Sequence, residues 1–200
     1  MTIIEVSEKN YPQAIKKAAN LLTIGGIVIA KADTSYTLLL LPRFIKNHKI
    51  LNRIKNNRRD KQYSIFIDTK EALLEKVRKE YRQLVAKLIP GKITIVTQPS
   101  QPALRYIESL TINQLIRAVK SPLTATSANP SGAEPARNIN MIEEYFNDYP
   151  VIVLHEGSIN KQLPSTVLDV SGDKPNVLRQ GSVKIAKTLL KAAVSGNIKA

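Results

Sequence analysis

Hydroxyl and amide side chains crowd into residues 121–132, where Ser121, Thr124, Thr126, Ser127, Asn129 and Ser131 lie among Pro122, Pro130 and Gly132. Each hydroxyl both donates and accepts hydrogen bonds, and Asn129 adds two donors and a carbonyl acceptor. Such a set could hold phosphate oxygens or a small polar ligand. It equally suits a capped turn, because Ser, Asn, Pro and Gly favour turns for local reasons. Pro122 and Pro130 argue against a continuous helix or a central strand through the segment. Two more clusters carry similar chemistry. Lys31, Asp33, Thr34, Ser35 and Tyr36 follow the apolar run 27–30, and ligand sites of open α/β sheets lie beyond the carboxyl ends of strands. A polar loop between two strands is the alternative there. Farther on, Ser165, Thr166 and Asp169 precede a segment with Arg179, Gln180, Gly181 and Ser182.

Cations concentrate over residues 43–61: Arg43, Lys46, Lys49, Arg53, Lys55, Arg58, Arg59 and Lys61, with Asp60 the one acid. Ile45, Ile50, Leu51 and Ile54 would anchor a helix, turning Lys46, Lys49, Arg53 and Lys55 outward. Either a solvated face or a phosphate-binding one fits this pattern. Arg43, Lys46, Lys49 and Arg53 are the candidates for contacting the phosphates of a nucleic acid. The excess of 30 basic over 16 acidic residues, a net charge of +14, favours a polyanionic partner. With three Phe and no Trp, a base-stacking platform has little support.

The absence of cysteine excludes disulfides, thiol catalysis and thiolate metal sites. His48 and His155 are far apart, without nearby carboxylates at metal-ligand spacing. No stretch approaches the roughly 18 apolar residues of a membrane span, and the amino terminus lacks a secretory pattern. A cytoplasmic protein without a membrane partner is therefore expected.

The elements that must position these clusters alternate between strand and helix patterns. Strands are predicted at 2–6, 27–30, 37–41, 63–67, 93–97 and 151–154, and helices at 11–22, 43–61, 69–89, 103–119 and 183–194. The helix after residue 132 carries Glu143, Glu144 and Asp148. No repeat or linker divides the 200 residues, so one α/β domain with a mixed sheet is predicted, frayed over 196–200.

Taken together, Ser127-Ala128-Asn129 with Ser131-Gly132, the run Pro164 to Asp169, Val177 to Gly181, and Leu88 to Thr94 resemble the YrdC-like family, the threonylcarbamoyl-adenylate synthases. The order of these pieces agrees from about residue 8 to residue 187. The resemblance implies a twisted mixed sheet flanked by helices around a positively charged cavity. It implies ATP, bicarbonate and L-threonine as substrates, Mg2+ accompanying ATP, and a product used to modify adenosine 37 of tRNA. Binding of tRNA or double-stranded RNA, and partner proteins of tRNA modification, come with it. By position, Lys55, Ser127, Asn129, Ser165, Thr166 and Arg179 resemble nucleotide-binding residues, and Asp33, Thr34 and Tyr36 fall in the threonine pocket. No residue is assigned as catalytic, and none as a metal ligand.

The chain departs from the family at several points. Lys31 and Ala32 replace a proline and a threonine, and Lys92 stands where proline is common. The Lys-x-Arg motif reads Lys55-Asn56-Asn57, which leaves Arg58 or Arg59 to supply the phosphate-binding arginine. Residues 97–121 look too short for both a helix and the family's arginine- and histidine-bearing strand. A homologue that binds nucleotide or double-stranded RNA without catalysis is the alternative these departures suggest.

Overall fold

The computed structural model describes residues 1–56 and 63–195. In chain order the elements are β1 (Thr2–Glu5), α1 (Tyr11–Thr23), β2 (Ile27–Lys31), β3 (Tyr36–Leu40), α2 (Lys49–Ile54), β4 (Ser64–Ile67), α3 (Lys70–Lys76), α4 (Arg82–Leu88), β5 (Ile93–Val96) and β6 (Leu104–Tyr106). They continue with α5 (Leu110–Val119), β7 (Leu123–Ser127), α6 (Ile139–Phe146), β8 (Val151–His155), β9 (Thr166–Asp169), β10 (Asn176–Arg179) and α7 (Lys187–Val194). Short 3-10 helices at Pro42–Asn47 and Lys79–Tyr81 precede α2 and α4.

All ten strands join one mixed sheet, in the order β1-β8-β2-β3-β7-β4-β6-β5-β9-β10. Strands β1, β8 and β2 run parallel, whereas β3 and β7 are antiparallel to their neighbours. Ile27–Ala30 and Leu38–Leu40 are apolar on both faces and buried, as expected where helices cover both sides of a sheet. Val28 and Ala30 pack with α1 and α5, while Ile27 and Ile29 pack with α2 and α6. A third cluster closes the other end of the sheet, where Leu73, Leu84 and Val85 meet Ile93, Ile95, Leu168 and Ala193.

Caps explain where several helices differ from their sequence patterns. The basic stretch is not one helix over 43–61: His48 Nδ1 accepts from Leu51 N at 3.1 Å, starting α2 afresh after the 3-10 turn. Ile45, Ile50, Leu51 and Ile54 do face the core as their spacing suggests. Residues 103–119 are likewise divided. Ser109 Oγ accepts from Ile112 N at 3.3 Å, so α5 begins at Leu110 and leaves 104–106 free to pair as β6. The sequence reading that no strand fits alongside this helix is thus overturned. The 69–89 helix breaks at Val77, which is extended, and Arg82 donates to the carbonyls of Val77 and Glu75 at 3.0 and 3.2 Å. Val183 N donates to Thr166 Oγ1, and its carbonyl accepts from Thr166 Oγ1 and Gln180 Nε2, and α7 begins only at Lys187.

The segment 121–132 holds a further correction. Residues 123–127 form a central strand between β3 and β4, because Pro122 and Pro130 sit outside the paired region and remove no ladder donor from it. No helix among the described residues is long and apolar enough to cross a membrane. Residues 196–200 lie outside the described residues.

Candidate functional site

Side chains from most of the inner strands line a cavity of about 470 Å3. The β2–β3 turn and the start of β3 supply Thr34, Ser35 and Thr37. Ser64 and Phe66 come from β4, Thr94 from β5, Arg105 from β6, and Ala125, Thr126 and Ser127 from β7. The loops 134–137 and 161–165 and the end of β10 complete it with Glu134, Arg137, Lys161, Ser165 and Arg179 among others. Four cations thus line the cavity against one carboxylate, Glu134.

Arg105 is the residue that sequence reasoning missed. It projects from the three-residue β6 and is 6% exposed. Its Nη2 donates to both oxygens of Asp33, at 2.7 and 2.8 Å. Burial pulls its pKa below the ordinary arginine value, Asp33 opposes that pull, and the charge of Arg179 adds to it. The two guanidinium groups are therefore near enough to repel each other. Arg105 Nε is buried without a hydrogen-bond partner among the described residues. The signal available in sequence was the alternation Leu104-Arg105-Tyr106 followed by Ser109 at cap position.

Ser165 organises the opposite wall. Its Oγ pairs with Thr94 Oγ1 at 2.9 Å and accepts from Arg179 Nη2 at 3.2 Å. The Ser165 carbonyl accepts from Arg179 Nε and Nη2 at 3.2 and 2.9 Å, which fixes the plane of that guanidinium. Thr166, expected to bind nucleotide, is fully buried. Its Oγ1 donates to Val183 O at 2.7 Å and accepts from Gly181 N at 3.0 Å. It therefore holds the turn after β10 and does not line the cavity.

Lys55 holds the turn after β7. The expectation that it faces outward is corrected: its side chain is 0% exposed. Nζ donates to Ser127 O at 2.7 Å, Asn129 O at 2.8 Å and Asn129 Oδ1 at 3.1 Å. Ser127 Oγ also donates to Asn129 Oδ1, at 2.6 Å, while Asn129 Nδ2 donates to Ala133 O at 2.6 Å. Of this trio Ser127 reaches the cavity; Lys55 and Asn129 stand behind it.

The threonine-pocket candidates separate in the same way. Thr34 lines the cavity, Asp33 is engaged by Arg105, and Tyr36 is buried beneath the loop that follows β8. Tyr36 Oη donates to Gly157 O at 2.8 Å and accepts from Glu156 N at 3.2 Å. That loop crosses from β8 to β9 over the cavity. It is tied down by Ile159 N to Arg137 O at 2.8 Å, by Lys161 to Glu134, and by Gln162, which donates to Asp33 O and accepts from Lys92.

None of Arg43, Lys46, Lys49 and Arg53 lines the cavity. Arg43 donates to Thr23 O at 3.1 Å, and the Arg53 guanidinium lies 5.9 Å from the centre of the Tyr149 ring. Arg58 and Arg59 lie outside the described residues. His48 bonds Gly25 O at 2.7 Å and His155 bonds Glu5 at 2.6 Å, so both imidazoles have structural partners. Among the described residues no group of three or more His, Asp or Glu is placed to hold a metal ion.

Comparison with known proteins places this geometry. The family model for Sua5, YciO and YrdC, described as "Telomere recombination", matches residues 20–181. A putative threonylcarbamoyl-AMP synthase of Methanocaldococcus jannaschii is 27% identical over 195 residues, covering 92% of this chain and 94% of that one. Among solved structures, the H234A/Y235A form of Pyrococcus abyssi Sua5 superposes with a TM-score of 0.79 at 26% identity. The match covers 90% of this chain but only 57% of that one, so this chain spans little more than half of the Pyrococcus protein. Escherichia coli YciO shares the fold, with a TM-score of 0.74 at 19% identity over 90% of this chain and 93% of its own. With a matched fold and a family model spanning most of its length, the chain belongs to the Sua5/YciO/YrdC family.

Proposed function

We propose that this chain is a threonylcarbamoyl-adenylate synthase. It takes L-threonine, bicarbonate and ATP and releases threonylcarbamoyl-adenylate, pyrophosphate and water. The observation that carries the reading is the convergence of Thr34, Ser127, Ser165, Arg105 and Arg179 on one cavity. The name borne by the Methanocaldococcus relative supports it.

The chemistry needs oriented donors more than it needs a covalent nucleophile. Threonine's amine attacks the carbon of bicarbonate, a C–N bond forms, water leaves and one proton passes to solvent. The carbamate oxygen then attacks the α-phosphorus of ATP, and the bond to the β-phosphate breaks. Negative charge grows on oxygen in both steps. Donors fixed in place around a partly enclosed cavity stabilise that charge without reorganising. Arg179, clamped by Ser165, and Arg105, clamped by Asp33, are such donors. The threonylcarbamoyl group would pass on to adenosine 37 of tRNA. Mg2+ would have to enter on the phosphates of ATP, and no step is assigned to it.

The binding-only alternative loses one of its two motives, since β6 and its arginine are present. Purified protein incubated with ATP, bicarbonate, threonine and Mg2+ should release pyrophosphate and form the adenylate. Arg179→Ala should slow turnover about 100- to 1000-fold. Neither product appearing, under conditions where an active relative works, would overturn the proposal.

A further inference from the structure

Glu134, Arg137 and Lys161 line the same cavity and form a second charged cluster, separate from the Arg105–Asp33 pair. One carboxylate oxygen of Glu134 meets Arg137 Nη2 at 3.0 Å, and the other meets Lys161 Nζ at 3.1 Å. The carboxylate thus bridges two cations from different segments, one on the loop after β7 and one on the loop that crosses to β9. Arg137 is the better enclosed, with its side chain 20% exposed against 75% for Lys161. Its backbone carbonyl is also bonded by Ile159 N at 2.8 Å, so its position is set by the crossing loop.

We infer that Arg137 and Lys161 form a polyphosphate subsite whose internal occupant is the Glu134 carboxylate, which the phosphates of an incoming ligand displace. A phosphate group carries more charge than a carboxylate and more oxygens with which to bridge the same two cations. The cluster faces a cavity of about 470 Å3, which suits a nucleotide triphosphate or pyrophosphate and not a nucleic-acid backbone. Hydrogen bonds from Arg137 and Lys161 hold the Glu134 carboxyl below its ordinary range. The inference deepens the synthase reading by assigning a place to the phosphates, and it names residues outside the hydroxyl-rich motifs.

The test is calorimetric titration of the whole protein with inorganic pyrophosphate, without turnover. Glu134→Gln removes one negative charge at nearly constant size from a half-exposed side chain. It should bind pyrophosphate about three- to tenfold more tightly at low salt, and less of that gain should survive at high salt. Arg137→Gln and Lys161→Gln should each bind more weakly than the natural chain. The Glu134→Gln gain should vanish when combined with Arg137→Gln. An unchanged or weaker affinity in Glu134→Gln, or a gain that survives in the double variant, would overturn the inference. A parallel titration with ATP separates two sources of the same chemistry. An equal gain with ATP puts the substrate triphosphate on the subsite, whereas a gain confined to pyrophosphate makes it the seat of the leaving group. Loss of synthase turnover with the affinity shift intact would remove the proposed reaction and leave the subsite. Turnover without the shift would do the reverse.

Discussion

Lys55 shows how one residue's role depends on what the folded chain brings to it. In sequence it stands in a run of cations, and by motif it stands where a nucleotide-contacting lysine is expected. In the fold its Nζ lies beneath the turn after β7, within 3.1 Å of three oxygens belonging to Ser127 and Asn129. Taking the donor away leaves buried acceptors without compensation, which costs more than the net value of the hydrogen bonds themselves. Lys55→Met should therefore destabilise the protein by about 2–4 kcal/mol, measured as a fall in denaturant midpoint with an unchanged slope. Lys55→Arg should not restore it, because a planar guanidinium cannot reproduce the same three directions from one nitrogen. A Lys55→Met chain as stable as the natural one would show that the turn holds itself. Arg105 teaches the converse. Its sequence neighbourhood is plain, and its importance comes from Asp33 and Arg179, which approach it from distant parts of the chain.

Elements were legible where the pattern was long and uninterrupted. Apolar runs at 27–30, 37–41 and 151–154 became buried strands, and the helix expected over 11–22 formed as α1, with Ala14, Ala18 and Leu22 on its buried face. The errors share a physical cause. His48 and Ser109 through one hydrogen bond each, and the Arg82 side chain through two, end or restart helices, and hydrophobic period does not register such bonds. The hydroxyl-rich segments were found, but of the four residues they offered as nucleotide contacts two proved to hold backbone. Thr166 and Asn129 do so, while Ser165 and Ser127 reach the cavity. Sequence could not divide them, because support and contact use the same side chains. Gly181 belongs to this scale as well. A Cβ there would lie 2.6 Å from Ser165 O and closer still to Pro164 O, so the turn after β10 can approach the start of β9 only without a side chain. Gly181→Ala must push these backbones apart, loosening the carbonyl of Ser165 that orients Arg179. We expect a stability loss of about 1–3 kcal/mol, together with weaker pyrophosphate binding in calorimetry. Retention of both values would mean that the backbone yields at no cost.

At the scale of the molecule, distant segments are fastened by tyrosines whose hydroxyls are out of water. Tyr36 ties β3 to the loop after β8, and Tyr81 donates to Asp173 O at 2.5 Å across 92 residues of chain. Burial raises the pKa of both above the ordinary tyrosine value, because it penalises the phenolate. In the unfolded chain these hydroxyls titrate near pH 10. The native state therefore keeps its protons at pH values where the unfolded chain has begun to lose them. The stabilisation is complete below about pH 10 and is lost as pH rises through the higher folded values. Alkaline unfolding should consequently steepen above pH 10 without any change in secondary structure beforehand. Tyr81→Phe isolates one contribution, since it removes the titrating group and leaves the ring in place. Its denaturant midpoint should fall less between pH 9 and pH 11 than that of the natural chain, even if the lost hydrogen bond lowers its stability at neutral pH. Tyr36→Phe should show the same flattening and also free the loop over the cavity, read as faster amide exchange at Glu156 and Gly157. Parallel curves for the natural chain and Tyr81→Phe across that range would place the alkaline transition on other groups.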